Sequence, residues 1–292
     1  MNKKNTAPTL LKITSLRPFK GHPYKVQDNE EMDALAESIK ENGILTPLIV
    51  RPIENTDEYE VISGHRRLHA AQKAGLAEIP VLIRVLDRDS AAIAVVDSNL
   101  HREHIIPSEK AFAYRMKAEA LKHQGRRTDL TLGQVVPKSE DNRTTAEIGA
   151  VTNESYKTVQ RYIRLTYLIP EFLEKMDKGE IALSVGVELS SLNESRQQDV
   201  LEQCKMNDCT PSYSQAWRMH KAEREGLLTK DVIQFVMSEE KPNQREMVKV
   251  HADRLQDVLP KGMNAQKTED FIIKACAHYR KYLIRQRSRD ER

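Results

Sequence analysis

The sequence predicts an α+β N-terminal domain, an all-α domain that contains a helix-turn-helix, and a small, mainly helical C-terminal segment. Three observations predict this arrangement. Short β-rich runs alternate with helical patterns up to about residue 122, the pattern is helical from residue 144, and 292 residues are enough for about two domains of roughly 100–200 residues each. We expect domains at 1–122 and 144–238, a linker at 123–143 and a separate segment at 239–292.

Charge is segregated along the chain, although the totals of 46 Lys and Arg and 43 Asp and Glu are nearly balanced. Residues 28–60 hold ten acids and two bases, residues 100–127 seven bases and three acids, and residues 274–292 seven bases and two acids. Such segregation indicates a polyanionic partner, whereas a solvated charged face explains any single run equally well. Without a signal-peptide pattern, a long apolar run or a disulfide spacing, we expect a cytoplasmic protein with reduced cysteines.

Helical and strand patterns follow one another in the first domain. Residues 31–41 place apolar side chains at helical spacing, and Asn42-Gly43 ends that helix. Short β-rich runs bounded by turn residues follow it. These patterns predict strands at 48–51, 59–62 and 79–85, and further helices at 90–100 and 108–122.

The stretch ISGHRRLHAAQKAG (62–75) predicts a helix between Gly64 and Gly75 that begins with an excess of positive charge. Arg66 and Arg67 lie in the first turn, where the helix dipole already contributes about half a positive charge. A phosphate bound by free backbone N–H groups and two guanidinium groups would relieve the repulsion. Pairing of both arginines with the acidic 28–60 segment is an equally good explanation.

A second polar cluster, DSNLHREH (97–104), lies at the end of the next predicted helix. Asn99 and Arg102 are three residues apart, and we expect them to share a helical face. Histidines at positions 65, 69, 101 and 104 raise the question of a metal site, but the neighbouring arginines oppose a bound cation. We therefore favour solvated or anion-facing histidines.

Residues 123–143 lack a sustained period, and we expect an exposed linker or long loop there. The next segment, TTAEIGAVTNESYKTVQRYIRLT (144–166), fits the helix-turn-helix pattern. Gly149 lies where the two helices approach each other, and Asn153 occupies a turn that needs a left-handed backbone. The predicted core positions are Ile148, Val159, Tyr162 and Leu165.

The outward positions of the second helix carry no acid. Phosphate oxygens are bound by Lys and Arg, and base edges in the major groove by Arg, Gln, Ser and Thr. A helical hairpin with a solvated basic face is the alternative. The predicted DNA-binding residues are Ser155, which also caps the helix, Lys157, Thr158, Gln160, Arg161 and Arg164.

The C-terminal segment has weaker patterns. Residues 245–260 predict a strand plus a helix, and residues 268–287 a basic amphipathic helix. A packed terminal helix with a charged end is as good an explanation as a dimerisation helix that also contacts DNA. In the second case the dimer contacts would be Phe271, Ile272, Ala275 and Tyr279, and the DNA contacts Arg280, Arg285 and Arg287.

Taken in order, these segments resemble the ParB family of DNA-partitioning proteins. GILTPLIVRP (43–52) resembles its first box, YEVISGHRRLHAAQKAGLAEIPVLIR (59–84) its second and IAVVDSNLHREHIIPSEKAFAYR (93–115) its third, and ALSVGVELSSL (182–192) follows the helix-turn-helix. The resemblance covers residues 8–192 and implies a ParB/sulfiredoxin-like N-terminal fold. Sulfiredoxin chemistry itself is excluded, because Gly64 occupies the position of its cysteine.

The resemblance implies a homodimeric clamp that loads at a palindromic duplex site, binds CTP with magnesium and is at most a slow CTPase. It also implies chromosome partition or plasmid segregation, a nucleoid- or plasmid-associated location and a ParA-type ATPase as partner. Asn99 would also be a magnesium ligand. By position, the implied nucleotide-binding residues are Thr46, Gly64, His65, Arg66, Arg67, Asn99 and Arg102.

Two departures from the family pattern bear on this chemistry. His65 replaces a Glu, and we expect it to make the phosphate end more basic. Ser98 replaces a metal-holding Glu, and Asp97 lies about 100° away around the helix, so we expect nucleotide binding rather than metal-dependent turnover. The alternatives are a transcriptional regulator or plasmid or mobile-element adaptor without a nucleotide cycle, and a ParB-like nuclease, which would need a denser set of acids.

Overall fold

The computed structural model describes residues 7–100, 102, 104–132, 140–239, 259–260 and 265–290. The chain divides into two compact units, residues 1–239 and 240–292, and each is described by itself. Within the described ranges, no helix is both long and apolar enough to cross a membrane.

A five-stranded mixed sheet forms the base of the N-terminal domain. β3 pairs antiparallel with β4 and parallel with β5, whereas β1 and β2 lie at the two edges in the order β1-β5-β3-β4-β2. Alternate apolar side chains of the central strands, such as Leu48 and Val50, are fully buried against the helices. The strands are β1 (Thr9–Lys12), β2 (Leu16–Pro18), β3 (Leu48–Pro52), β4 (Tyr59–Ser63) and β5 (Glu78–Ile83).

The three predicted strands are confirmed, although β5 ends at Ile83 instead of continuing to residue 85. The two edge strands escaped prediction for a physical reason. β1 is almost wholly exposed and β2 buries only Leu16, so neither has the apolar alternation that indicates a strand.

Among the described residues, four α-helices complete this domain: α1 (Glu30–Asn42), α2 (His65–Lys73), α3 (Arg88–Asp97) and α4 (Pro107–Leu132). Asn29 caps α1, and Gly75 has the predicted left-handed backbone after α2, with a φ of +74°. α3 ends at Asp97 rather than at residue 100. Asn99 and Arg102 therefore lie beyond the helix, and the prediction that they share a helical face is wrong.

The expected long loop at 123–143 is wrong over the whole of its described length, which is helical. Residues 123–132 continue α4 and residues 140–143 begin α5, while 133–139 lie outside the described residues. Gly125 costs only about 1 kcal/mol relative to alanine in a helix interior. That cost does not end a helix that is already propagating, because nucleation is the unfavourable step.

In the described part of the helical domain, the helices between residues 156 and 238 share one apolar core, in which Leu165, Phe172, Leu189 and Met219 are fully buried. Asn193 caps the helix Glu194–Met206, and Ser212 caps the helix Tyr213–Arg224. The helices are α5 (Glu140–Thr152), α6 (Tyr156–Leu165), α7 (Pro170–Asp177), α8 (Leu183–Leu189), α9 (Glu194–Met206), α10 (Tyr213–Arg224) and α11 (Lys230–Ser238).

The main described element of the second unit is α12 (Ala265–Asp290), which contains the predicted terminal helix. Phe271 and Ile272 are partly buried within this unit, whereas Ala275 and Tyr279 are exposed. Most of 245–260, where we predicted a strand plus a helix, lies outside the described residues, as do the side chains at positions 285 and 287. Dimerisation and DNA contact by this segment stay predictions.

Candidate functional site

Gly64 forms the turn that joins β4 to α2. Its φ of +106° lies in the left-handed region, and a Cβ at this position would lie 2.8 Å from Cγ of the buried Leu48. A glycine is therefore required here for both conformational and steric reasons. Because α2 begins directly afterwards at His65, the backbone N–H groups of its first turn have no intrahelical acceptor. This is the helix start on which the predicted anion site depends.

Arg67 joins the helix start to the loop that precedes β3. Its Nη1 donates to the carbonyl oxygen of Pro47 at 3.2 Å and also contacts the carbonyl oxygen of Thr46. Partial burial lowers the pKa of Arg67, although a guanidinium remains charged in a protein. Neither partner is a carboxylate, so these contacts hold Arg67 against the Thr46–Pro47 backbone without neutralising the arginine.

Arg66 has a carboxylate partner instead. Its Nη2 donates to Oε2 of Glu31 in α1 at 3.1 Å, and farther along α2 Lys73 contacts Asp28 and Asp33. The acidic segment thus pairs with α2, as the alternative explanation proposed, but it reaches Arg66 and not Arg67. The Arg66–Glu31 pair is largely exposed, and such pairs contribute only about 0–1 kcal/mol. Arg66 can therefore exchange Glu31 for a phosphate at little cost.

His65 is buried and contacts the loop after β2. Its Nε2 accepts a hydrogen bond from the backbone N–H of Phe19 at 3.3 Å, and its ring lies against His22 with the centroids 3.6 Å apart. Burial, followed by the charges of His22 and Arg102, lowers the pKa of His65 to about 3. The prediction that His65 makes the helix start more basic is therefore wrong, because burial and the accepted hydrogen bond keep the ring neutral.

Arg102 joins the same group of side chains. Its guanidinium lies over the Tyr24 ring, 5.5 Å from the centroid. After burial, its charge is among the causes that lower the pKa of both His22 and His65. The structure thus brings Arg102 close to the Gly64 turn although the two are distant in sequence.

Asn99 and its neighbours fit a magnesium site poorly. The Asn99 Nδ2 donates to the carbonyl oxygen of Val95 at 2.8 Å, and the Ser98 hydroxyl donates to the same carbonyl at 3.0 Å. Asp97 is paired with the buried Lys117 at 2.6 Å. No group of three His, Cys, Asp or Glu side chains suited to a metal occurs in the part of the chain that the structure describes. Magnesium beside a nucleotide usually takes one or two carboxylates, and Asp97 is already occupied.

The helix-turn-helix has the predicted local geometry. A Cβ at Gly149 would lie 2.4 Å from the carbonyl oxygen of Glu154, so the tight turn after α5 requires glycine. Asn153 has a φ of +56°, and the Ser155 Oγ accepts a hydrogen bond from the Thr158 N–H at 3.1 Å as the cap of α6. Among the predicted core side chains Tyr162 is only partly buried, and the fully buried ones are Ile148, Val159 and Leu165.

The outward side chains of α6 form a basic face. Arg164 donates to the Ser191 hydroxyl at 3.3 Å and lies 5.3 Å from the centroid of the Tyr167 ring. Thr158 and Gln160 are partly buried. The predicted DNA-binding residues that are exposed are Ser155, Lys157, Arg161 and Arg164. This face offers cations for phosphates, and Arg161 and Gln160 for base edges.

The sequence did not reveal how α4 supports both regions. Lys110 contacts Oε1 of Glu154 at 2.5 Å, and the Tyr114 hydroxyl donates to Oε2 of the same carboxylate at 2.9 Å. Lys117, farther along α4, pairs with Asp97, the last residue of α3. These partners are 20 to 44 residues apart in sequence, so no local pattern indicates them.

Comparison with known sequences gives consistent relatives. The sequence model of the ParB N-terminal domain matches residues 1–100. The chain is 36% identical over 172 residues to the chromosome-partitioning protein Spo0J of Thermus thermophilus, covering 59% of this chain and 55% of the relative. It is 32% identical over 216 residues to the probable chromosome-partitioning protein ParB of Chlamydia trachomatis, covering 70% of each chain. The chain spans about half the length of the Thermus relative and of a Deinococcus radiodurans relative.

Two solved structures of a C-terminally truncated chromosome-partitioning protein ParB from Caulobacter crescentus also resemble the chain. The one complexed to the centromeric parS site is 20% identical with a TM-score of 0.41, covering 73% of this chain and 98% of that chain. The one complexed with CTP-γ-S is 23% identical with a TM-score of 0.31, covering 67% and 97%.

We predict that His65 makes stability depend on pH. Its folded pKa of about 3 lies below the ordinary value of 6.5, so between these values the unfolded chain binds a proton that the folded chain does not. The stabilising contribution is therefore present above about pH 6.5 and is lost as the pH falls towards about 3.

Between about pH 7.5 and about pH 5, the free energy of unfolding should fall by roughly 1–2 kcal/mol more in the wild type than in His65→Gln. The glutamine oxygen can accept from the Phe19 N–H without titrating. Urea denaturation at both pH values measures the difference. Equal losses in the two proteins would contradict a buried, neutral His65.

Proposed function

The chain belongs to the ParB family of chromosome-partitioning proteins, and on that premise we propose that it binds a palindromic duplex DNA site through α6 and CTP at the Gly64 turn. The observation that carries the proposal is the helix-turn-helix itself. Its turn has the required left-handed backbone at Asn153, Ile148 and Val159 are fully buried in its core, and the outer face of α6 is basic.

The DNA-binding part of the proposal rests on two kinds of side chain. Lys157 is an exposed point charge suited to a phosphate, whereas Arg161 is an exposed planar donor suited to a guanine edge. Ser155 is already used as the cap of α6, which leaves its hydroxyl as an additional, weaker contact. The absence of acids from 155–166 removes repulsion along the whole face.

The nucleotide-binding part rests on the geometry around Gly64. Unpaired N–H groups at the start of α2, the charged Arg67 and the exchangeable Arg66 together suit a phosphate chain. Arg102 adds a further cation, which lies over the Tyr24 ring and acts electrostatically on His65 at the start of α2. The identity of the nucleotide, CTP, comes from the family resemblance. Because Asp97 is paired with Lys117, the residues present favour binding over metal-dependent hydrolysis.

As a whole, the proposed protein is a homodimeric, nucleotide-gated clamp in chromosome partition or plasmid segregation, with a ParA-type ATPase as partner. A second candidate is a regulator or plasmid or mobile-element adaptor that uses the same DNA face without a nucleotide cycle. Ser98 at the family's metal-holding position is the observation that favours it. Nucleotide binding separates the two, because only the clamp requires it.

The test duplex is one that the wild type selects from a random library. We predict that Arg161→Ala weakens binding to this duplex by about 1–3 kcal/mol and relaxes specificity at one base pair of the site. Lys157→Ala should weaken binding to all duplexes equally and reduce the salt slope by about one unit. Lys205→Ala, an exposed charge removal on α9, is the matched control. Fluorescence anisotropy with selected and random duplexes measures these effects. Unchanged binding of both duplexes by Arg161→Ala would mean that α6 does not read bases.

We also predict that the full chain binds CTP in preference to ATP and GTP, and that Arg67→Ala reduces the affinity by at least about tenfold through loss of a charge-assisted contact. Lys73→Ala removes a cation from the other end of α2 and should leave affinity unchanged. Isothermal titration calorimetry with and without magnesium measures this. A wild type that binds no nucleotide would exclude the clamp and leave the regulator or adaptor.

A further inference from the structure

A cleft of 280 Å³ lies between α4, α5 and the second half of α6. Its charged lining side chains are Arg115 and Lys122 of α4 and Arg164 of α6, with Glu119 as the acid. Three positive charges and one negative charge leave a surplus of two.

Tyr167 holds two guanidinium groups together in this cleft. The Arg115 guanidinium lies 5.6 Å and the Arg164 guanidinium 5.3 Å from the centroid of its ring. Arg115 is further held by Glu119 at 2.9 Å and by the Thr166 hydroxyl at 3.2 Å. Two like charges on one ring repel each other, and the ring offsets only part of that repulsion. The arrangement is pre-organised for an anion that contacts both.

Arg115, like Arg17 and Arg51, has a carboxylate partner, but its pair with Glu119 is exposed and contributes only about 0–1 kcal/mol. Arg17 pairs with Glu58, and Arg51 pairs with Glu60. Arg164, in contrast, contacts a hydroxyl and a ring within the described residues, and it already belongs to the basic face of α6. Each guanidinium has five N–H donors, so Arg115 and Arg164 both retain donors for an external acceptor.

We propose that this cleft binds a phosphate of the DNA backbone and that Arg115 of α4 contacts that phosphate directly. The inference rests on the proposed binding of duplex DNA by α6 and extends that interface onto a helix outside the 144–166 motif. Lys117 of the same helix pairs with Asp97 at the end of α3. A phosphate bound by both Arg115 and Arg164 would therefore also connect α4, and through it the N-terminal domain, to α6.

The test compares Arg115→Gln with the wild type as full-length chains. Glutamine keeps a polar group near Thr166 but removes the charge. We expect Arg115→Gln to bind selected and random duplexes more weakly by the same factor, roughly five- to tenfold at about 0.1 M salt, and to reduce the salt slope by about one unit. Lys122→Ala, an exposed change in the same cleft, should have the same signature and guards against a folding effect at position 115.

Arg88→Ala is the matched control. The Arg88 guanidinium also lies over an aromatic ring, 5.4 Å from the centroid of Phe19, but it belongs to α3. Arg88→Ala removes the same charge from the protein, so a general effect of lost charge would appear in it as well. If Arg115→Gln and Lys122→Ala bind random duplex with the affinity and salt slope of Arg88→Ala, the cleft is not a phosphate site. If Arg161→Ala still loses affinity in that case, the proposal that α6 binds DNA stands and only the phosphate site in the cleft is excluded. A wild type that binds no duplex would overturn both the phosphate site and the proposed DNA binding.

Discussion

The left-handed backbone at Gly64 is the constraint on which the N-terminal domain depends, because two loops are attached to the residues that follow it. His65 accepts a hydrogen bond from Phe19, and Arg67 contacts the carbonyl oxygen of Thr46. The backbone conformation of Gly64 therefore determines where α2 starts. It also places the buried, neutral ring of His65 and the charge of Arg67, whose partners in these contacts are not carboxylates. Arginines repelled by a helix dipole cost stability, and the proposed anion-binding role would explain why that cost is tolerated.

α4 is the second element that organises the molecule. It holds Asp97 through Lys117, and it supports the helix-turn-helix through Lys110 and Tyr114, which share Glu154. Lys117 is almost completely buried, so loss of its partner would leave a desolvated charge, which is strongly destabilising. The proposed nucleotide site and the proposed DNA-binding face are thus joined by one continuous helix and by specific polar contacts. This connection would give the proposed nucleotide-gated clamp a physical element through which to act.

Local rules were sufficient where a residue type is dictated by its own backbone. The turn at Asn153, the cap at Ser155 and the two glycines that flank α2 follow from local conformational preferences, and the structure confirms them. Prediction was wrong where tertiary contacts decide. The neutrality of His65 depends on burial beside His22 and Phe19, and the exposed edge strands lack an apolar pattern. The course of α4 through 123–132 depends on propagation of a helix that was already formed.

The binding of a triphosphate at the start of α2 is tested most directly by NMR of the ¹⁵N-labelled chain during titration with CTP. We expect the backbone amide resonances of residues 65–67 to show the largest shifts and to saturate together, because their N–H groups would donate to phosphate oxygens. The amide of Lys73, at the other end of the same helix, should shift little. CTP binding that moves other amides while 65–67 stay unchanged would contradict a phosphate site at Gly64.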